Sequence, residues 1–178
     1  MVLAVAVLAL PGNDMGRPLT PQPVDPLGTV EVSPPNEPAR PNALDPPRAE
    51  PGEVGARARI YVPRLHLASL VYAAADVDRG PAWWSRTGRP GGGDTVAIAG
   101  HRTTHSRPFY WLETLRPRDR VFVAYRGRTT EYRVTGSRVL PATDLHIADA
   151  RGREVLILSA CTPRGSARYR LVVYARPV

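Results

Sequence analysis

The one cysteine of this 178-residue chain, Cys161, closes a largely apolar run from Val155 to Ala160, and nine residues later Arg170 opens another, Leu171 to Ala175. Upstream, Thr95 to Ala99 runs into Gly100-His101-Arg102-Thr103-Thr104. A histidine, a thiol and a guanidinium therefore each stand at the end of a strand-like segment. A thiolate can attack an amide carbonyl, and a nearby cation lowers a cysteine's pKa. An imidazole can give a proton to a leaving amine and later take one from an incoming amine. A guanidinium cannot shuttle protons, but its fork of donors can hold a peptide backbone or a developing oxyanion. His101, Cys161 and Arg170 are thus a candidate acyl-transfer site, against the bland reading of a lone cysteine as a small buried hydrophobe.

These residues need strands to position them. Ile60 and Val62, then Leu70-Val71-Tyr72, read as two short strands bent at Pro63. Pro81-Ala82-Trp83-Trp84 reads as a helical turn, Gly88 to Gly93 as a loop and Asp94 to Ala99 as a strand. Pro108 precedes Phe109, Leu112 and Leu115, apolar residues three apart, which predicts a short helix over 107–115. Val121 to Tyr125 and Thr130 to Thr135 form a hairpin through Arg126-Gly127-Arg128. Val139-Leu140-Pro141 ends a further strand, 142–150 is a loop with one helical turn, and Glu154 to Ala160 and Tyr169 to Arg176 are the last strands. About eight short strands with one or two brief helices predict an all-β, closed or nearly closed barrel.

Composition divides the chain. Residues 1–10 are apolar; residues 11–55 are proline-rich and acidic; residues 56–178 are the expected folded domain. Twelve of the 20 prolines lie before residue 56, where the net charge is −4; the remainder carries +12. All 24 basic Lys+Arg residues are arginine, which reflects a GC-rich genome more than a function. They form no run of five and no aromatic-interleaved platform, so nucleic acid is not an expected partner. One cysteine excludes an intramolecular disulfide framework, and without a Cys-x-x-Cys pair or a His-Cys cluster no metal or other cofactor is expected. MVLAVAVLAL is half the roughly twenty residues needed to span a membrane. It reads either as a weak signal sequence or, preferably, as the outer part of a membrane anchor whose upstream half lies before Met1. The following segment cannot bury enough apolar area to offset its ordering entropy, and is expected to be a disordered, partly polyproline II spacer.

Several separated motifs together resemble the sortase family, most closely the class E type of high-GC Gram-positive bacteria. They are Ala97-Ile98-Ala99-Gly100-His101-Arg102-Thr103-Thr104, the segment around Pro108-Phe109 and Leu112, Glu131-Tyr132-Arg133-Val134-Thr135-Gly136, and Leu156-Ile157-Leu158-Ser159-Ala160-Cys161-Thr162-Pro163 followed by Ser166 to Val173. The resemblance covers roughly residues 57–178. It implies that His101, Cys161 and Arg170 are the catalytic histidine, nucleophile and arginine. It further implies a transpeptidase cutting an LPxTG- or LAxTG-type C-terminal sorting signal between Thr and Gly through a thioacyl enzyme. The protein would pass to an amine of the cell-wall precursor, catalysed by a monomer anchored N-terminally on the extracytoplasmic membrane face. One departure is Ala160, where the family usually has threonine beside the cysteine.

The alternatives are distinguishable by order. A papain-like protease places its cysteine before its histidine, and an L,D-transpeptidase has the two close in sequence. A catalytically inactive, basic wall-binding module is the non-enzyme reading. Arg168, two residues from Arg170, is expected on the same strand face, where it substitutes in the site or is simply solvated, with Arg170 preferred; His105 reads as a solvated loop residue ahead of a substrate-facing or supporting one, and His66 and His146 have no partner pattern.

Overall fold

The structure, a computed structural model, describes residues 54–178. The expectations for residues 1–10 and for nearly all of 11–55 lie outside the described residues. Eight strands form there: β1 (Ala58–Val62), β2 (Leu67–Ala73), β3 (Ala82–Trp83), β4 (Thr95–Ala99), β5 (Arg120–Tyr125), β6 (Arg128–Pro141), β7 (Val155–Thr162) and β8 (Tyr169–Pro177). They close into a barrel in the order β1-β2-β3-β4-β7-β8-β6-β5, so the expected all-β barrel is what the chain forms. The two-residue β3 closes the ring, through two residue pairs with β2 and two with β4. Among the described residues no helix is long and apolar enough to cross a membrane.

Period-two alternation sorts the side chains. Ile60, Val62, Val96, Ile98, Val121, Val123, Leu156, Leu158, Leu171 and Val173 fill the barrel with Phe109, Leu112 and Tyr132. Each fully buried aliphatic or aromatic side chain contributes roughly 1.5–3 kcal/mol. On the outer face, Ala97, Val155, Ile157 and Val172 are covered by Ile147 from the β6–β7 connection. That outer cover is why β7 is buried on both faces from Val155 to Ala160 and reads as one apolar run.

Three local expectations are corrected. Pro81 to Trp84 is not a helical turn: Ala82 and Trp83 pair in parallel with β2 and antiparallel with β4. The tandem tryptophans suit a strand because they take opposite faces, Trp83 packing on the interior cluster and Trp84 on the outer one. Residues 107–115 form successive three-residue turns with one 3-10 segment, Leu112–Thr114. Pro108 has no N–H, and the Phe109 N–H bonds the His101 carbonyl at 3.1 Å; Tyr110, Leu112, Thr114 and Leu115 then bond three residues back. Finally, Val139 to Pro141 is the end of β6, which continues past Thr135 through a bulge between Val134 and Gly136.

Candidate active site

Register places the sequence-selected residues side by side. In β7, Leu156, Leu158 and Ala160 point into the barrel, so Ser159 and Cys161 point out; in β8, Leu171, Val173 and Ala175 point in, so Arg170 points out. Cys161 is the direct cross-strand partner of Arg170, and Arg170 is also that of Leu140 on β6. On the other side, Ala99 of β4 pairs in parallel with Ser159, and the Gly100 N–H continues the ladder to the Ser159 carbonyl at 3.0 Å. His101 lies two residues past the end of β4, whose parallel neighbour β7 ends in Cys161 and Thr162. One row reads Cys161, Arg170, Leu140 across three neighbouring strands, with about 4.8 Å between strands.

The His101 side of the site is set by a close backbone approach. An alanine Cβ at Gly100 would lie 2.7 Å from Phe109 Cδ2 and 3.1 Å from Pro108 Cγ, so only glycine lets the buried Phe109 ring pass under the chain there. His101 Nε2 lies 2.8 Å from Asp78 Oδ1, and its ring stacks at a tilt on His105, centroids 4.6 Å apart. The His101 side chain is 25% exposed, accessible yet held.

A buried arginine ties the histidine loop to the cysteine strand. Arg102 is 5% exposed; its Nη1 donates to the Cys161 carbonyl (3.3 Å) and to Thr162 Oγ1 (2.9 Å), and its Nη2 pairs with Glu113 Oε2 at 2.7 Å. Arg164, from the β7–β8 connection, also pairs with Glu113, donates to the Tyr110 carbonyl at 3.2 Å and lies over the Tyr110 and Trp111 rings. This Arg102–Glu113–Arg164 chain joins three loops around Cys161. A bidentate guanidinium is suited to such bridging where a lysine is not.

Cys161 is a free thiol of intermediate burial. Arg170 is also half-buried, and its Nη1 donates to the Ala167 (2.8 Å) and Tyr169 (3.2 Å) carbonyls at the mouth of β8. Arg168 does not share its strand face: β8 begins at Tyr169, and exposed Arg168 sits in the preceding loop, where its carbonyl accepts from Ala142 N. Ala160 is 3% exposed and belongs to the barrel interior, so its missing hydroxyl alters the packing beneath Cys161, not the face on which the thiol stands. His66 is exposed, and exposed His146 bonds Asp149 at 2.9 Å.

Sequence reasoning singled out neither Arg102 nor Asp78 for a role. Arg102 adjoins His101, but nothing in its spacing shows that it turns back to β7. Asp78 lies 23 residues before His101 in an irregular connection and has no periodic signal at all.

Comparison with known proteins places this geometry in a lineage. The family model described as "Sortase domain" matches residues 60–178. The Streptomyces coelicolor protein Sortase SrtE1 is 27% identical over 92 residues, 46% of this chain and 26% of that protein. Among solved structures, sortase A from Corynebacterium diphtheriae aligns with a TM-score of 0.64 and 24% identity, over 69% of this chain and 60% of that one. Sortase E1 from Streptomyces coelicolor, solved with a tripeptide in its active site, aligns with a TM-score of 0.64 and 22% identity, over 69% of this chain and 88% of that one. The chain therefore spans about a quarter of the curated relative's length, and these two structures share its fold.

Proposed function

This chain belongs to the sortase family and is class E-like, and on that premise we propose that it is a cysteine transpeptidase attaching secreted proteins to the cell wall. The observation that carries the reading is the Cys161–Arg170 cross-strand pair at the end of β7, next to the strand that leads into His101. Cys161 is the nucleophile: its thiolate Sγ attacks a substrate carbonyl carbon, Arg170 donates to the developing oxyanion or the adjacent backbone, and His101 as imidazolium protonates the leaving amine while the C–N bond breaks. A thioacyl enzyme remains. An acceptor amine then attacks that carbonyl, neutral His101 takes its proton and the C–S bond breaks, returning the thiolate.

The proposed donor is an LPxTG- or LAxTG-type sorting signal cut between Thr and Gly, and the proposed acceptor is an amine of the peptidoglycan precursor. Exposed Trp111 and Leu145, on connections, and Tyr169, at the start of β8 next to Arg170, offer apolar surface, which suits a signal with an apolar leader. The proposed site of action is the extracytoplasmic face of the membrane, with an N-terminal anchor. The Cys161–Arg170 pair favours this over an inactive wall-binding module. Incubating the purified chain with fluorogenic LAxTG and LPxTG peptides tests the proposal: cleavage that is lost in Cys161→Ala supports it, and cleavage that survives in Cys161→Ala refutes it.

A further inference from the structure

The described residues contain one cluster of mixed metal-ligating side chains, and it shares His101 with the proposed catalytic groups. Asp78, His101 and His105 each direct one ligand atom into a common space, all within 4.8 Å of one another. His101 Nε2 is 2.8 Å and His105 Nδ1 is 3.6 Å from the same carboxylate oxygen, Asp78 Oδ1. Tetrahedral zinc with bonds of about 2.0–2.1 Å requires its ligand atoms to be roughly 3.3 Å apart. The two separations from Asp78 Oδ1 bracket that value, and all three donor atoms lie within 4.8 Å of one another, so small side-chain adjustments suffice to gather them about one ion.

The chemistry of the donor set fits as well. Two imidazoles and one carboxylate suit Zn²⁺ and its late first-row neighbours, and are a poor match for Ca²⁺ or Mg²⁺, which take oxygen ligands. His105 is in the left-handed backbone region (φ 54°), which non-glycine residues enter uncommonly, and that geometry accompanies the tilted stacking of its ring on His101. Three protein donors leave a fourth position open to water. Exposure of 25% at His101, 46% at His105 and 65% at Asp78 makes the site reachable from solution and limits its affinity.

We infer that Asp78, His101 and His105 form a binding site for a late transition-metal dication, Zn²⁺ foremost, that reversibly blocks the enzyme. The metal takes a lone pair of His101, so the imidazole can neither give the proton the leaving amine needs nor accept one from the attacking amine. Cys161 is not a ligand: it is absent from the cluster. Binding itself stands on geometry alone, whereas the inhibitory consequence rests on the proposed role of His101.

The test is a zinc titration of the chelator-treated full chain in competition with a chromophoric chelator, alongside Cys161→Ala and His105→Asn. Asparagine is chosen at 105 because it tolerates the left-handed backbone while removing the imidazole. The expected result is one equivalent bound with a dissociation constant on the order of micromolar, kept by Cys161→Ala and weakened at least ~10-fold by His105→Asn, since even loss of a group supporting a ligand costs that much. Zinc uptake unchanged in His105→Asn, uptake abolished in Cys161→Ala, or no uptake at millimolar zinc overturns the site. In the peptide-cleavage assay, zinc should inhibit the native chain reversibly on chelation, and half-inhibition of His105→Asn, relative to its own zinc-free rate, should need at least ~10-fold more zinc; equal zinc sensitivity of the two would overturn the inhibitory site. If no variant cleaves peptide, the activity proposal falls and the binding titration still decides the metal site.

Discussion

Replacing Gly100 with alanine would set a methyl carbon 2.7 Å from Phe109 Cδ2, 3.0 Å from Cε2 and 3.1 Å from Pro108 Cγ. Ordinary carbon contacts are about 3.5–4.0 Å, so the overlap with the ring is roughly 1 Å. Phe109 has no room to yield, being 0% exposed inside the barrel cluster with its N–H held by the His101 carbonyl at 3.1 Å. Overpacking of this kind costs about 1–3 kcal/mol. A value near 2 kcal/mol corresponds to a fall in Tm of roughly 8 °C for a barrel of this size. The strain falls on the residue before His101, and a displacement of about 1 Å at a reacting group can cost ~100-fold in rate. The assay is a double-mutant cycle by thermal unfolding and peptide cleavage. Phe109→Leu alone leaves a partial void and destabilises by about 1–2 kcal/mol. In the double variant the smaller side chain accepts the new methyl, so the two losses should fall short of additivity by about 1 kcal/mol or more. A Tm for Gly100→Ala within 1 °C of the native chain, or strict additivity with Phe109→Leu, would refute the reasoning.

Two further predictions address the supports of the site. Arg102→Met should lower stability by about 1–2 kcal/mol, less than the 3–5 kcal/mol for orphaning a buried charge, because Glu113 is 38% exposed and keeps Arg164; kcat/KM for the sorting peptide should fall about tenfold with the Cys161 carbonyl released, and an unchanged kcat/KM would show that this tie does not position the thiol. The Asp94 carboxylate accepts from the backbone N–H groups of Arg151 (2.9 Å) and Thr95 (2.7 Å), which hold its pKa below the ordinary aspartate range, Arg151 foremost. A lowered folded-state pKa gives stability that is present above the unfolded value of about 3.9 and is lost as pH falls below it toward the folded value. Thermal unfolding from pH 5 to pH 2 should therefore show a shallower loss of Tm in Asp94→Asn than in the native chain; parallel curves would contradict the assignment.

How far the sequence could be read depended on whether an element's partners were local. The apolar runs of β7 and β8 showed that Cys161 and Arg170 each stand at a strand end, but runs with no alternation have no readable parity, and their shared face comes from the structure, where Leu156, Leu158 and Ala160 and Leu171, Val173 and Ala175 point inward. The tandem Trp83 and Trp84 read as a turn because a two-residue strand has no period; its identity comes from pairing with β2 and β4 across the irregular connections on either side of it. The segment after Pro108 carried helical spacing, but the amides of Tyr110, Leu112, Thr114 and Leu115 bond three residues back, so it forms three-residue turns. The strand expected over Thr130 to Thr135 and the one expected to end at Pro141 are a single β6, joined through an irregularity between Val134 and Gly136 along its pairing with β8. Arg102, Asp78 and Glu113 act across loops, and a single sequence carries no trace of such contacts.

The most direct test of the central claim is intact-mass analysis of the full chain mixed with an LAxTG or LPxTG peptide in the absence of an acceptor amine and quenched at early times. The account predicts a covalent adduct equal to the peptide's N-terminal fragment through threonine, located at Cys161 by fragmentation, absent in Cys161→Ala and discharged when an amine is added. Cleaved peptide with no adduct at Cys161 at any quench time, or an adduct carried by another residue, would contradict it.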